Sequence, residues 1–339
     1  MSNYVALYRK YRPETFEDVV GQEPVVDLLL KAIRGSKLAH AYLFCGARGT
    51  GKTSVARIFA RDVGCNSEDI IEIDAASNRG IDEIRELREA VRSVPFSSQY
   101  KVYIIDEVHM LTKEAANALL KTLEEPPKHV IFILATTDPD KLPQTIVSRC
   151  QKVEFKQPSI ETLSSRLIYV AKKESKILEQ DGAYLIATHG KGSYRDALGV
   201  LEQVLTRFTD KTITKDIVGN LLGAPSEKLI LLLLESVCKQ DNKSTIELLN
   251  EAKSKNILPN ILYKELIEYM RLALLARIGG ESIANHGLLD VQVSLKDLGI
   301  KYPLVINSTK VLSLLESEKY LRLPNTDGYL SLEMILISK

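Results

Sequence analysis

The chain lacks any long apolar run: its nearest, Leu229 to Leu234, falls far short of the ~20 residues a membrane-crossing helix needs. Its first residues, Met1-Ser2-Asn3-Tyr4, lack the charged-then-apolar design of a secretory leader, so no membrane partner is expected. Cysteine is scarce and scattered. Cys45, Cys65, Cys150 and Cys238 include no Cys-x-x-Cys pair, which argues against both a zinc site and a disulfide framework. Reduced thiols and a cytoplasmic location are the resulting expectation. An excess of one charge is missing too. With a formal net charge of +1, the molecule as a whole is no electrostatic trap for nucleic acid. Any such binding must come from locally arranged charge or oriented backbone dipoles. There is no internal repeat and no low-complexity tail. What remains is 339 residues with an ordinary 45% apolar content, more than one core holds comfortably, so two or three domains are expected.

The most informative stretch present is Gly46-Ala47-Arg48-Gly49-Thr50-Gly51-Lys52-Thr53. It follows the apolar run Tyr42-Leu43-Phe44-Cys45 and opens a helix-prone segment from Ser54. Strand, glycine loop and helix in that order are what a phosphate-binding loop requires. Glycines let the backbone curl until successive N–H groups point at phosphate oxygens, and the helix N-terminus adds partial positive charge. Lys52 is predicted to reach the β- and γ-phosphates and Thr53 to offer its hydroxyl to Mg²⁺. The chain is expected to bind a nucleoside triphosphate.

Three blocks follow from the patterning. Residues 1–158 alternate apolar runs with amphipathic stretches, the mark of a parallel sheet with helices on its faces. Strands are predicted at 41–45, 70–74, 102–106, 130–136 and 152–155. Helices are predicted near 24–33, 52–61, 80–91 and 113–123, the last capped by Thr112 and stopped by Glu125-Pro126-Pro127. After Pro158, residues 159–222 show no strand pattern and read as a small helical unit. Residues 223–339 read as further helices, near 229–237, 243–254, 259–276, 308–321 and 329–337.

Lys101-Val-Tyr-Ile-Ile-Asp106-Glu107 is a buried strand ending in two acids. A carboxylate at that tip, beside the phosphate loop, suits a Mg²⁺ ligand, and Glu107 is placed to orient and deprotonate a water. Thr137 ends the strand Ile131–Thr136 at the edge where parallel sheets bind ligands, so it is a candidate for sensing the γ-phosphate or holding the water. Arg149 follows a helix end. Either a solvated side chain or an arginine finger supplied to a neighbouring subunit fits it, and the residues leave both open. Arg195 lies in the first turn of the helix after Gly192-Ser193, where a cation opposes the helix dipole unless an anion answers it. That mismatch suggests that it reaches a bound nucleotide.

Together these motifs resemble those of the AAA+ clamp-loader ATPases, specifically the gamma/tau family of bacterial DNA polymerase III. The resemblance is carried by Tyr8-Arg-Lys-Tyr-Arg-Pro13, Val19-Val-Gly-Gln22, the loop Gly46–Thr53, Ile71-Glu-Ile-Asp-Ala-Ala-Ser77 and Ile105-Asp-Glu-Val-His-Met-Leu111. Asn117–Pro127, Leu134-Ala-Thr-Thr-Asp-Pro139, Ser148-Arg-Cys150 and Gly192-Ser-Tyr-Arg-Asp196 continue it to about residue 205. It implies an α/β P-loop AAA+ domain, a small helical lid and a helical collar. It further implies ATP with Mg²⁺, Thr137 as first sensor, Arg195 as second and Arg149 as a finger acting in trans. Tyr8, Arg9, Arg12, Val19 and Val20 fall where the family encloses the adenine. The implied activity is ATP-driven opening and loading of a sliding clamp on primed DNA. The implied partners are delta- and delta-prime-type subunits, copies of the chain itself, the clamp and primer-template DNA.

Two departures stand out. The family's four-cysteine zinc module is missing, since Gly64-Cys65-Asn66-Ser67-Glu68-Asp69 runs almost directly into Ile70, and a lone Cys65 cannot build a four-ligand site. No zinc is expected. The long form's C-terminal domains, which tether polymerase and helicase, are expected to be absent as well. For DNA, the helix carrying Arg85, Arg88 and Arg92, with Asn78 and Arg79 near its start, resembles a backbone-tracking surface. Asp82, Glu83, Glu86 and Glu89 could pair with those arginines instead, which leaves a merely solvated face open. Two rival functions remain: a stator-like structural subunit that does not hydrolyse ATP, and another AAA+ repair or replication-fork ATPase. An intact loop speaks against the first, and the helical third block against a branch-migration helicase ending in a winged helix.

Overall fold

A computed structural model describes residues 4–78, 80–279, 289–322 and 326–337. The chain forms two compact units, Met1–Thr212 and Ile213–Lys339. In the first, α1 (Leu7–Lys10) and α2 (Glu23–Arg34) precede β1 (Ala41–Cys45), α3 (Lys52–Asp62), β2 (Ile70–Asp74), α4 (Ile81–Val91) and β3 (Lys101–Asp106). Then come α5 (Lys113–Glu124), β4 (Val130–Thr136), α6 (Gln144–Val147), β5 (Gln151–Glu154), α7 (Ile160–Lys173), α8 (Gln180–His189) and α9 (Tyr194–Arg207).

The strands pair in parallel in the order β2-β3-β4-β1-β5. Because β1 and β4 lie inside the sheet with helices on both faces, every one of their residues is buried, and both read as unbroken apolar runs. Side chains alternate between faces. Leu43, Tyr103, Ile105, Phe132 and Leu134 pack with Ile84 and Leu87 of α4 and Leu119 of α5. Tyr42, Phe44, Ile104 and Ile133 pack on the other face with Leu29 of α2 and Val55, Ile58 and Phe59 of α3. Thr112 caps α5, accepting from Ala115 N–H at 3.2 Å, as its place before the helix predicts.

The order has one consequence for chemistry. β4 separates β1 from β3, so the C-terminal tips of all three stand side by side, with Cys45 opposite Thr136. The phosphate loop, Thr137 and the acidic pair follow these tips directly. Brought to one edge this way, residues distant in sequence can share one site.

The second unit is helical among the described residues: α10 (Lys215–Leu222), α11 (Glu227–Lys239), α12 (Asn242–Ser254), α13 (Pro259–Ile278), α14 (Leu289–Lys301), α15 (Ser308–Ser317) and α16 (Gly328–Ile337). Leu233, Leu234, Leu266, Met270 and Leu314 centre its core. The hydroxyls of Tyr263 and Tyr329 donate to Leu314 O and Ile257 O, each at 2.7 Å, so these buried rings leave no polar atom unanswered.

Two differences from the sequence-based elements have physical reasons. Helix α14 was not anticipated, because its β-branched residues and internal Gly299 are poor helix formers. Packing overrides that weakness. A Cβ at 299 would lie 2.3 Å from Ala273 O, so the glycine is what lets α14 press against α13. In residues 159–222, where no strand was expected, Ile177–Leu178 run extended and Ile177 N–H donates to Lys211 O at 2.8 Å.

Candidate nucleotide-binding site

The loop between β1 and α3 is built by conformations that only glycine adopts freely. Gly49 and Gly51 have φ of 75° and 104°, in the left-handed region. A Cβ on Gly49 would lie 2.0 Å from Ser193 Oγ, whereas Gly51 faces open space with nothing within 4 Å. The loop is tied down by Gly46 N–H to Thr136 O at 3.3 Å and by Thr50 Oγ1 to Ala47 O at 2.9 Å. A rigid loop with one bare backbone surface is a cradle open to an anion.

Lys52 opens α3 and is only 6% exposed. Its Nζ donates to Gly46 O at 2.8 Å and Ala47 O at 3.0 Å. Burial lowers its pKa, while Glu107 and Asp106 partly oppose that shift. A buried ammonium held by neutral carbonyls is poised to gain from an anionic ligand, which would favour its charged form.

At the neighbouring tips, Thr53 Oγ1 donates to Asp106 Oδ2 at 2.7 Å and Glu107 N–H donates to Asp106 Oδ1 at 3.0 Å. Glu107 has φ of 49°, rare outside glycine, and this turn aims its carboxylate back across the tip of β4. There Glu107 Oε2 accepts from Thr137 Oγ1 at 3.0 Å and Thr137 N–H at 3.3 Å. His109 Nδ1 lies 3.4 Å from the same oxygen and 3.0 Å from Thr136 Oγ1. The result is one continuous chain of contacts from the loop threonine to the β4 tip.

These groups open onto a cavity of about 1080 Å³, at the top of the range of small-molecule sites. It is lined by Tyr8, Arg9, Arg12, Val19, Val20, Arg48, Gly49, Thr50, Gly51, Lys52, Thr53, Asp106, Glu107 and Arg195, fourteen of the residues singled out from sequence. Gly46 and Ala47 reach the site through Lys52, and Thr137 through Glu107. Arg12 Nε donates to Ser54 Oγ at 2.9 Å, and burial pulls its pKa down. The guanidiniums of Arg9 and Arg195 lie 5.9 and 5.7 Å from the Tyr8 ring centroid, within cation–π range.

Arg149 is elsewhere. Its Nη2 pairs with Glu124 Oε1 at 2.7 Å and its Nη1 donates to Thr145 O at 2.8 Å, so it does not line this chain's own cavity. Asn78 Nδ2 donates to Asp74 O at 3.0 Å, and Arg92 is exposed at the end of α4. Arg79 and the side chains of Arg85 and Arg88 lie outside the described residues. Cys65 is buried with its thiol against Tyr100 O at 3.2 Å, and burial pushes its pKa up to about 11.

Sequence reasoning missed His109, Gln22 and Tyr194. Gln22 is 2% exposed, and its amide accepts from Lys156 N–H at 3.2 Å and donates to Lys156 O at 2.7 Å. All three sit inside motifs quoted above, but each acquires its role from a partner far along the chain, which no local pattern shows.

The family model for "DNA polymerase III, delta subunit" matches residues 21–79 and 66–159. The tau subunit of DNA polymerase III from Bacillus subtilis is 44% identical over 294 residues, covering 80% of this chain and 52% of that protein. The gamma subunit from Buchnera aphidicola of Acyrthosiphon pisum is 38% identical over 289 residues, covering 79% of this chain and 80% of that protein. The chain belongs to the gamma/tau subunit family of DNA polymerase III. It spans about half the length of the Bacillus and Escherichia coli tau subunits, the latter 35% identical over 322 residues. In fold, this gamma/tau-family chain is similar to the Thermotoga maritima RuvB Holliday junction branch migration motor. That likeness has a TM-score of 0.54 at 23% identity and covers 67% of this chain and 79% of that one. Its fold is the AAA+ P-loop architecture, a parallel sheet followed by helices.

Proposed function

We propose that the chain is an ATP-hydrolysing clamp-loader subunit that couples ATP binding and turnover to opening a sliding clamp and closing it on primed DNA. The observation that carries this reading is the contact chain Thr53–Asp106–Glu107–Thr137 beside a buried Lys52 at the mouth of a nucleotide-sized cavity. The residues fit the substrate. Gly51 leaves the loop bare where a phosphate must approach, and Lys52 and Arg195 supply positive charge. Thr53 and Asp106 would hold Mg²⁺, which supplies charge neutralisation on the phosphates when bound.

In this reading, Glu107 accepts the proton of the attacking water as the water oxygen bonds to the γ-phosphorus and the bond to the β-bridging oxygen breaks. Thr137 aims that carboxylate. Tyr8, Arg9, Arg12, Val19 and Val20 enclose the adenine, and Arg149 acts on the nucleotide of a neighbouring subunit. Its pairing with Glu124, away from its own cavity, supports a role in trans. The helical units, divided at about 158 and 222, would serve as lid and collar. Asn78, Arg79, Arg85, Arg88 and Arg92 would track the DNA backbone. No zinc is used, the partners are delta- and delta-prime-type subunits and further copies of the chain, and the setting is the cytoplasm.

The test is ATP turnover by the purified chain with and without partner subunits, clamp and primed DNA. Tight ATP binding with turnover that rises on assembly supports the reading. A chain that binds no nucleotide would sink it.

A further inference from the structure

Tyr194 is the residue at which three parts of the cleft meet. Its backbone N–H donates to Gly49 O of the phosphate loop at 3.0 Å. Its hydroxyl donates to Val20 O at 2.7 Å, on the segment assigned above to the base. The two neighbouring glycines leave room for this fastening. A Cβ on Gly21 would lie 3.0 Å from the Tyr194 hydroxyl oxygen, and one on Gly49 would collide with Ser193. Ser193, 4% exposed, caps α9 by accepting from Asp196 N–H at 3.2 Å. The first turn of α9 is therefore pinned at the phosphate loop and at Val20. Its next residue is Arg195, whose exposed side chain rests over the Tyr8 ring and lines the same cavity.

An arginine has many rotamers, and its hydrogen bonds to an anion gain most when its backbone origin is fixed beforehand. We propose that Tyr194 is a positioning residue: its two-point fastening sets the reach of Arg195 toward the terminal phosphate of a bound triphosphate. This rests on the nucleotide-site reading above. Tyr194 touches no reacting atom in this account and acts through Arg195. It would also make α9 respond to the nucleotide as a whole, because base-side and phosphate-side walls both pull on one residue.

The experiment is equilibrium binding of ATPγS and of ADP to the full chain, comparing wild type, Tyr194→Phe, Arg195→Ala and the double variant, with Lys52→Ala as control. Tyr194→Phe keeps the ring and the backbone bond and removes only the hydroxyl. It is expected to weaken ATPγS about five-fold, the worth of one hydrogen bond, with ADP nearly unchanged. The double variant should bind no more weakly than Arg195→Ala alone, an outcome that a merely structural role would not produce. Unchanged binding in Tyr194→Phe, equal losses for both nucleotides, or losses that multiply in the double variant would each overturn the proposal. If wild type bound no ATPγS, or Lys52→Ala bound it as well as wild type, the nucleotide-site reading itself would fall.

Discussion

Arg195 and Arg149 are both cations of the same unit, yet their surroundings differ in kind. Arg195 lines the cavity, stands over Tyr8 and springs from a helix turn bonded to the phosphate loop. Arg149 is held by Glu124 and by the carbonyl of Thr145, on groups that do not line the cavity. One arginine thus lines its own chain's cavity, and the other is held away from it, partly buried, by Glu124 and the Thr145 carbonyl. On the proposed reading, the loop, the acids and Arg195 stand together within one chain, and Arg149 of a neighbouring copy supplies the remaining cation.

Substitutions can break or sharpen that contrast. The largest effect is expected from Arg149→Ala: in the assembled complex, turnover should fall by about 10³-fold or more, as for arginine fingers generally, with ATP affinity unchanged. Loss of affinity instead would place Arg149 in cis. Glu107→Gln should cut turnover by about 10²–10⁴-fold, the worth of a general base, again with binding retained. Lys52→Ala should weaken nucleotide binding by roughly 10²-fold, since a buried charge-assisted contact is lost, and titration with a fluorescent nucleotide measures it. The smallest effect belongs to Glu124→Gln. This pair is half-exposed, so its loss should cost at most about 1 kcal/mol in urea unfolding and leave turnover intact.

Legibility in the sequence followed the range of the interactions. The loop Gly46–Thr53 was legible because its chemistry is local: glycines for the turn, then lysine and threonine at a helix start. The central strands were legible because burial on both faces leaves unbroken apolar runs such as Val130–Thr136. Long-range partnerships were not. That Thr53 meets Asp106, 53 residues away, follows from β1 and β3 flanking β4, which strand order alone decides. Thr137 was expected at the phosphate or the water, and its hydroxyl bond to Glu107, 30 residues away, was not legible. The His109 contact and the Tyr194 fastening depend on elements that pack together only in the folded chain. Helix α14 was hidden for the opposite reason, its local propensity being poor and its packing good.

The most direct test of the central claim is the rate of ATP hydrolysis by the chain alone against its rate in complex with partner subunits, clamp and primed DNA. Slow turnover by the lone chain despite tight ATP binding, a large rise on assembly, and loss of that rise with Arg149→Ala are the expected results. Full-rate hydrolysis by the isolated monomer would contradict it.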